Sequence, residues 1–306
     1  LESAYVRPTP NIKSPCHVDD ALIGCKDDTT GENETWIHKE LINIFDAKSS
    51  KRLQGNWIDY LSMRLRRNNL GGLVLDNQIK IEAYLEDMGL ENANGVSTPI
   101  TKDIIKIISE NKGNYLDADE AEAFRKGLGR ALWLTKTTHP LACTAPSILA
   151  SMAGKQPTVG CDLEIKHLFR DFKPKKDMGI GRDPSDTGGL MIYTDADFAG
   201  LHAITGEVRS RTGICATYNG MPVYWKSSWQ NLQGTSLNLS PGEDYDVALS
   251  SGEAELIAGA DGAKIGIYLR NVGSEVGLNV PDIVTSNLDA TAAKGFLENT
   301  GSGSNM

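Results

Sequence analysis

The change of sequence pattern at residues 173–189 is the feature that most constrains how this chain of 306 residues can fold. The segment opens with a basic run and closes on Gly188-Gly189, and Pro and Gly at such density are typical of loops and domain boundaries. Helical periodicity dominates before it, whereas short strands and one long helix follow it. We therefore predict an N-terminal region (1–172), a basic linker (173–189) and a second domain (190–306).

The N-terminal region combines a predicted hairpin with several predicted helices. Residues 57–67 alternate in polarity, a Gly-rich turn follows at 68–72, and the alternation resumes at 73–75, which is typical of a hairpin. The amphipathic stretch 79–88 stops at Gly89, a residue suited to a helix C-terminus. Further helices are predicted at 117–136, 146–152 and 163–172.

The second domain alternates strands with helices. Predicted strands lie at 190–194, 213–218, 223–225 and 283–288, and a long helix covers about 252–276. Strands followed by a helix, another strand and a further helix start predict an α/β domain with a mixed sheet. For the whole chain we therefore predict a combination of α/β and α+β architecture.

Three acidic residues of the second domain occupy positions that suit a metal site. Asp195 ends the first predicted strand, Glu255 lies in the first turn of the long helix, and Asp289 ends the last strand. In an α/β fold such points can converge beyond the carboxyl ends of the strands. Converging carboxylates repel one another unless divalent cations, typically Mg²⁺, lie between them. Two such ions about 3.5–4 Å apart can promote phosphodiester cleavage. The alternative is that each acid is a turn or cap residue.

A second acidic pair, Asp19-Asp20, lies in an otherwise apolar segment near the start of the chain. Adjacent acids at a tight turn between two strands can hold the metal ions of a polymerase site. An exposed hairpin tip is the alternative, and the pair alone does not separate the two interpretations.

Charge and cysteine usage exclude several classes of protein. The chain has 40 acidic and 31 basic residues, a net charge of −9, of which residues 188–306 carry −7. This balance argues against a single basic nucleic-acid-binding module. Either metal-binding carboxylates or a plain soluble surface would account for the acidic excess. An apolar run of about 18 residues is missing, which argues against a membrane span. Since the sequence shows no secretory leader, we expect an intracellular protein of the cytoplasm or nucleus. The 5 cysteines are odd in number and form no CxxC pair, so we expect neither a disulfide framework nor structural zinc.

Seven short motifs follow one another along the chain in a specific order. The N-terminal region contains His17-Val18-Asp19-Asp20-Ala21-Leu22, Ser97-Thr98-Pro99 and Thr138-His139-Pro140. The second domain contains Tyr193-Thr194-Asp195-Ala196-Asp197, Arg209-Ser210-Arg211-Thr212-Gly213, Ser250-Ser251-Gly252-Glu253-Ala254-Glu255 and Asp289-Ala290-Thr291-Ala292-Ala293-Lys294. Taken in order, these motifs resemble the reverse transcriptase–ribonuclease H region of copia-type retrotransposon polyproteins, and the first is similar to the polymerase Tyr-x-Asp-Asp turn. The resemblance covers nearly the whole chain.

The resemblance implies part of a polymerase palm and thumb-connection region followed by a ribonuclease H-like mixed-sheet domain. Asp195, Glu255 and Asp289 would be three of the four metal-binding carboxylates of the ribonuclease H, with a two-ion Mg²⁺ or Mn²⁺ site. Asp19 and Asp20 would belong to the polymerase metal site. The implied reaction is hydrolysis of RNA in an RNA–DNA hybrid, beside RNA-directed DNA synthesis by the parent protein.

The implied partners are an RNA–DNA hybrid, template-primer nucleic acid and the rest of the Pol polyprotein, with no membrane. The hydrolytic domain would recognise the shape of the hybrid and the RNA 2′-hydroxyl rather than sequence. Six basic residues are candidate phosphate contacts, the alternative being a solvated basic face: Arg64, Arg66, Arg67, Lys173, Lys175 and Lys176.

The chain also departs from the family pattern. It begins at the Asp-Asp turn and stops at Met306, before the fourth carboxylate, so we expect no polymerase activity and only weak binding of a metal pair. Relative to the family, residues 231–246 resemble an insertion, either a tolerated loop or a sign of decay, which would bring the acids Glu243, Asp244 and Asp246 near the site. The alternative function is that of a catalytically inactive remnant, acting as a folded scaffold or a hybrid-binding module. A sugar or nucleotide kinase relative would need a longer glycine loop than residues 179–182 provide.

Overall fold

The computed structural model describes residues 57–153, 156–182, 185–202, 208–230, 248–282 and 284–288, together with Leu53 and the backbone of four short N-terminal strands. These strands are β1 (Ala4–Val6), β2 (Ile12–His17), β3 (Asp20–Ala21) and β4 (Gly24–Cys25). Strand β2 pairs antiparallel with each of the other three. The N-terminal strands therefore form one small sheet around β2.

A second antiparallel sheet contains the predicted hairpin. Its strands, in spatial order, are β5 (Trp57–Tyr60), β6 (Met63–Arg67), β7 (Leu73–Asp76) and β8 (Gly179–Gly181). The prediction of one strand over 57–67 was wrong, because Leu61 and Ser62 adopt positive φ values of 51° and 61° and reverse the chain. Strand β8 shows that part of the predicted linker belongs to this sheet.

In the part of the N-terminal region that the structure describes, five helices form the helical body. They are α1 (Gln78–Asp87), α2 (Ile104–Glu110), α3 (Ala118–Thr137), α4 (Thr144–Ala153) and α5 (Val159–Phe172). The apolar faces of α1, α3, α4 and α5 share one core, in which Phe124, Phe169 and Phe172 are almost fully buried. Helix α3 begins with a capping box between Asp117 and Glu120, which satisfies backbone N–H groups that the helix leaves unpaired. The predicted helices 79–88, 117–136, 146–152 and 163–172 are confirmed to within a few residues.

The third sheet belongs to the second domain and is mixed, as predicted. Its spatial order is β11 (Met221–Trp229), β10 (Arg211–Tyr218), β9 (Leu190–Asp197) and β12 (Thr285–Leu288). Neighbouring strands are antiparallel except β12, which lies parallel to β9. The long helix α6 (Ser251–Glu275) connects β11 to β12 and packs on one face of the sheet. The predicted combination of α/β and α+β architecture is confirmed.

The helical body contacts the third sheet directly. Trp225 Nε1 on β11 donates to the carbonyl oxygen of Thr135 in the last turn of α3 at 2.6 Å, where a helix leaves its carbonyl groups unpaired. Ser147 Oγ on α4 donates to the carbonyl oxygen of Ser227 at 2.7 Å. These hydrogen bonds fix the two parts of the chain against each other. The described helices include none with the length and apolar character that a bilayer span requires.

Candidate functional site

Asp195 lies on the open face of the third sheet. Ile192 and Thr194 on β9 are buried beneath α6, and since side chains alternate along a strand, Tyr193 and Asp195 point to the opposite face. Both are exposed there. The register partner of Asp195 on β10 is Gly213, which has no side chain to cover the carboxylate. Strand β9 continues to Asp197, so Asp195 lies within the strand rather than at its predicted end.

Glu255 lies at the same end of the sheet as Asp195. A methyl group at Gly266 of α6 would lie 3.3 Å from Ile192, and one at Gly262 would lie 2.3 Å from Thr194. The helix therefore runs with its N-terminus towards the carboxyl end of β9. Glu255 is half-buried in that N-terminal part, in the second helical turn rather than the predicted first, because α6 begins at Ser251.

A hydrogen-bond chain anchors the start of α6 at this sheet end. The side chain of Gln230, just after β11, donates to the carbonyl oxygen of Ala254 at 2.8 Å. The Gln230 backbone N–H donates to the carbonyl oxygen of Ser210, just before β10, also at 2.8 Å. Ser210 is followed by Arg211, the register partner of Asp197 at the end of β9. The hydrogen bonds of Gln230 therefore join the start of α6 to the end of β9.

The neighbouring acid Glu253 has a capping role. Ser250 Oγ accepts a hydrogen bond from the Glu253 backbone N–H at 3.2 Å, and Glu253 Oε2 accepts one from the Leu249 N–H at 2.7 Å. Such side-chain bonds satisfy the free N–H groups at a helix start. Glu253 therefore orients the first turn of α6, while Glu255 remains the candidate metal ligand of this helix.

The other predicted carboxylates are described less fully. Asp289 and Asp19 lie outside the described residues, and Asp20 is described only as backbone in β3, where it pairs with His17. Strand β12 ends at Leu288, the register partner of Thr194, and Asp289 follows it in the sequence. Among the described side chains, no three His, Cys, Asp or Glu lie close enough together to bind a metal ion. Convergence of the three predicted ligands therefore stays a prediction.

Two predicted phosphate contacts, Arg64 and Arg66, surround a buried carboxylate. Arg64 donates to both oxygens of Asp76, at 2.7 and 2.9 Å, and Arg66 Nε donates to Oδ2 at 2.6 Å. The Asp76 side chain is fully buried, whereas those of Arg64 and Arg66 are 15% and 26% exposed. Arg67 donates to the carbonyl oxygen of Gly71 at 3.1 Å. These arginines therefore stabilise the second sheet, and their contact with phosphate stays a prediction.

The predicted basic residues of the linker also have partners within the chain. Lys173 Nζ donates to the carbonyl oxygens of Glu91 and Ala93, at 2.6 and 2.7 Å. Lys175 pairs with the buried carboxylate of Asp171. Lys176 pairs with Glu82 at 2.6 Å, and this hydrogen bond lowers the pKa of the Glu82 carboxyl. The linker lysines thus hold the loop after α1 and the end of α5 together.

Sequence reasoning missed the contact between α4 and the third sheet. Arg211 is 4% exposed and donates through Nη2 to Ser147 Oγ at 2.5 Å and to the carbonyl oxygen of Ser227 at 3.2 Å. Its guanidinium carbon lies 4.6 Å from the centre of the Trp229 ring. Arg211 is the register partner of Asp197, which lies two residues after Asp195 on β9. Since alternate residues of a strand share a face, Arg211 lies on the same sheet face as Asp195. The helical body therefore covers β10 and β11 on this face and leaves Asp195 exposed.

The chain is 27% identical over 281 residues to the retrovirus-related Pol polyprotein from transposon TNT 1-94 of Nicotiana tabacum. This similarity supports a Pol-derived chain. The match covers 88% of this chain but only 18% of the tobacco polyprotein, so the chain corresponds to a limited segment of that relative. No family model and no solved structure matches.

Proposed function

We propose that the chain is the reverse transcriptase–ribonuclease H segment of a retrotransposon Pol polyprotein, and that its second domain hydrolyses the RNA strand of RNA–DNA hybrids. The main support is the placement of Asp195, on the open face of a central strand, at the same sheet end as Glu255. The similarity to the tobacco Pol polyprotein over 88% of the chain supports the same origin.

The donor groups at this sheet end suit a hard divalent cation. Asp195 and Glu255 offer carboxylate oxygens, which Mg²⁺ and Mn²⁺ prefer. Gly213 places no side chain beside Asp195, so a phosphate oxygen and a cation have room there. Asp195, Glu255 and Asp289 would hold the metal, which when bound would activate a water and stabilise the leaving oxygen of the cleaved phosphodiester.

The chain's own residues would supply orientation. Gln230 fixes the carbonyl of Ala254 and with it the helical turn that carries Glu255. The antiparallel pairing of β9 with β10 fixes the backbone of Asp195. Tyr193, exposed on the same face, offers an aromatic surface next to the carboxylate, where a sugar or base of a bound strand could pack.

The experiment is cleavage of a labelled RNA–DNA hybrid in Mg²⁺ or Mn²⁺ by the full chain and by Asp195→Asn. The matched control is Asp261→Asn on α6, since Asp261 pairs with the exposed Lys264 of the same helix. We expect Asp195→Asn to abolish cleavage and Asp261→Asn to preserve it. Equal background cleavage by all three proteins would refute hydrolysis. Retention of hybrid on a filter without cleavage would instead support the hybrid-binding remnant.

A further inference from the structure

Arg211 occupies a junction between three structural elements. It begins β10, its register partners are Asp197 on β9 and Trp229 on β11, and its Nη2 reaches Ser147 on α4. Ser147 in turn donates to the carbonyl oxygen of Ser227 on β11. The guanidinium also stacks on Trp229, a favourable arrangement of a cation on an aromatic face. A single side chain thus links the helical body to two strands of the third sheet.

The burial of this guanidinium is costly for stability. Arg211 Nε and Nη1 are buried and have no hydrogen-bond partner among the residues that the structure describes. Burial lowers the pKa of Arg211, and the charge of Asp197 opposes this shift only in part. Buried polar groups without partners destabilise a fold, and apolar residues of similar volume are often at least as stable at such positions. Stability alone therefore does not account for an arginine here.

We propose that Arg211 is a positioning residue, whose guanidinium ties α4 to the strand ends that carry Asp195 and Asp197. The tie keeps the exposed face of β9 in one fixed relation to the helical body, so that a duplex lying across both would meet the carboxylates in a single geometry. The consequence for hydrolysis rests on the proposed function, whereas the tie itself does not.

The tie is tested by amide hydrogen exchange of the full chain, which measures local opening separately from global unfolding. The variants are Arg211→Met, Arg211→Lys, Ser147→Ala and the double variant Arg211→Met/Ser147→Ala. Methionine keeps much of the volume of arginine and removes the buried charge. We expect the α4 amides of Arg211→Met to exchange about tenfold faster, the effect of losing one hydrogen bond to a charged group. Its melting temperature should equal or exceed that of the unchanged chain.

The other variants separate a tie from simple filling of space. Lysine can donate to Ser147 but cannot span two acceptors in one plane, so Arg211→Lys should restore part of the lost protection. Ser147→Ala should accelerate exchange in α4 in the same way, and the double variant should be no faster than Arg211→Met alone. Unchanged exchange in α4 of Arg211→Met, or effects that multiply in the double variant, would overturn the proposal. If Arg211→Met fails to fold, Ser147→Ala decides by the same measurement.

Cleavage assays separate this inference from the proposed function. If the unchanged chain cleaves hybrid, Arg211→Met should lower the cleavage rate about tenfold and change hybrid retention by less than about twofold. Equal losses of retention and cleavage would contradict a positioning role. If the unchanged chain cleaves no faster than Asp195→Asn, the proposed function fails, and exchange in α4 still decides whether Arg211 forms the tie.

Discussion

The buried carboxylate of Asp76 predicts a large loss of stability on a small chemical change. Asp76 ends β7 opposite Arg64 on β6, and three hydrogen bonds from Arg64 and Arg66 reach its two oxygens. Asp76→Asn keeps the shape of the side chain but removes the charge and one acceptor. The amide nitrogen of the asparagine and a guanidinium, both hydrogen-bond donors, would then face each other at the end of β7, the strand that leads into α1.

The size of the effect follows from burial. Removing one partner of a fully buried ion pair costs about 3–5 kcal/mol, because the other charge is left uncompensated. Arg64 and Arg66 are 15% and 26% exposed, so water can solvate part of each guanidinium, and the remaining amide oxygen of asparagine still accepts one bond. We therefore expect a loss of about 3 kcal/mol in the free energy of unfolding.

The measurement is urea unfolding followed by circular dichroism. With a slope of about 2 kcal/mol per molar urea, the midpoint of Asp76→Asn should fall by about 1.5 M. Asp87 provides the matched control, since it too accepts from two cations, Lys126 and Arg130, but its side chain is 46% exposed. Ion pairs at such exposed positions contribute little, so Asp87→Asn should leave the midpoint unchanged within error.

Asp76→Asn and Asp87→Asn should therefore differ clearly in their unfolding midpoints. Equal shifts would mean that burial does not decide the strength of these carboxylate–cation clusters. An unchanged midpoint for Asp76→Asn would mean that the arginines find other hydrogen-bond acceptors after the substitution. The stability of the second sheet would then not depend on this cluster.

Three further predictions concern the folded chain. Burial lowers the pKa of His139 below its ordinary value of 6.5. As pH falls, His139 therefore takes up its proton at a higher pH in the unfolded chain than in the folded chain, and the stability of the fold should fall as pH drops below 6.5. In thermal melts from pH 7.5 to 5, His139→Gln should lack this part of the fall in melting temperature. A methyl group at Gly262 would lie 2.3 Å from Thr194, so Gly262→Ala should lower the free energy of unfolding in urea by about 1–3 kcal/mol. Gly129→Ala, on the exposed surface of α3, should instead raise it by about 0.5–1 kcal/mol. Trp225→Phe removes the bond to the Thr135 carbonyl and should cost about 1 kcal/mol in the same measurement.

Local sequence signals predicted most helices and strands because their causes are local. The α1 pattern ends where Gly89 takes a φ of 65°, a backbone conformation that glycine adopts without strain. The acidic start of α3 became an actual capping box at Asp117. The turn at Leu61 and Ser62 gave no such signal, since neither residue is typical of positive φ, and the sequence therefore read as one strand.

Features that depend on distant partners were not predictable. Strand β8 pairs with β7 across about a third of the chain, and its glycines are needed because a methyl group at Gly179 would lie 2.1 Å from the Leu75 carbonyl oxygen. From sequence, these glycines indicated only a linker. Arg211 was similarly hidden, since nothing in its neighbours along the chain predicts that it reaches Ser147 on α4.

The placement of the basic residues also changes how nucleic acid would be bound. Arg64, Arg66 and Lys175 bind carboxylates that are almost fully buried, so moving them to a phosphate would leave a buried charge uncompensated. Lys176 pairs with the exposed Glu82, a partner that can be exchanged at little cost. Phosphate contacts should therefore come from the exposed pairs, each first releasing its own carboxylate. Together with the charge of −7 over residues 188–306, this predicts hybrid binding that is weak and falls as salt rises.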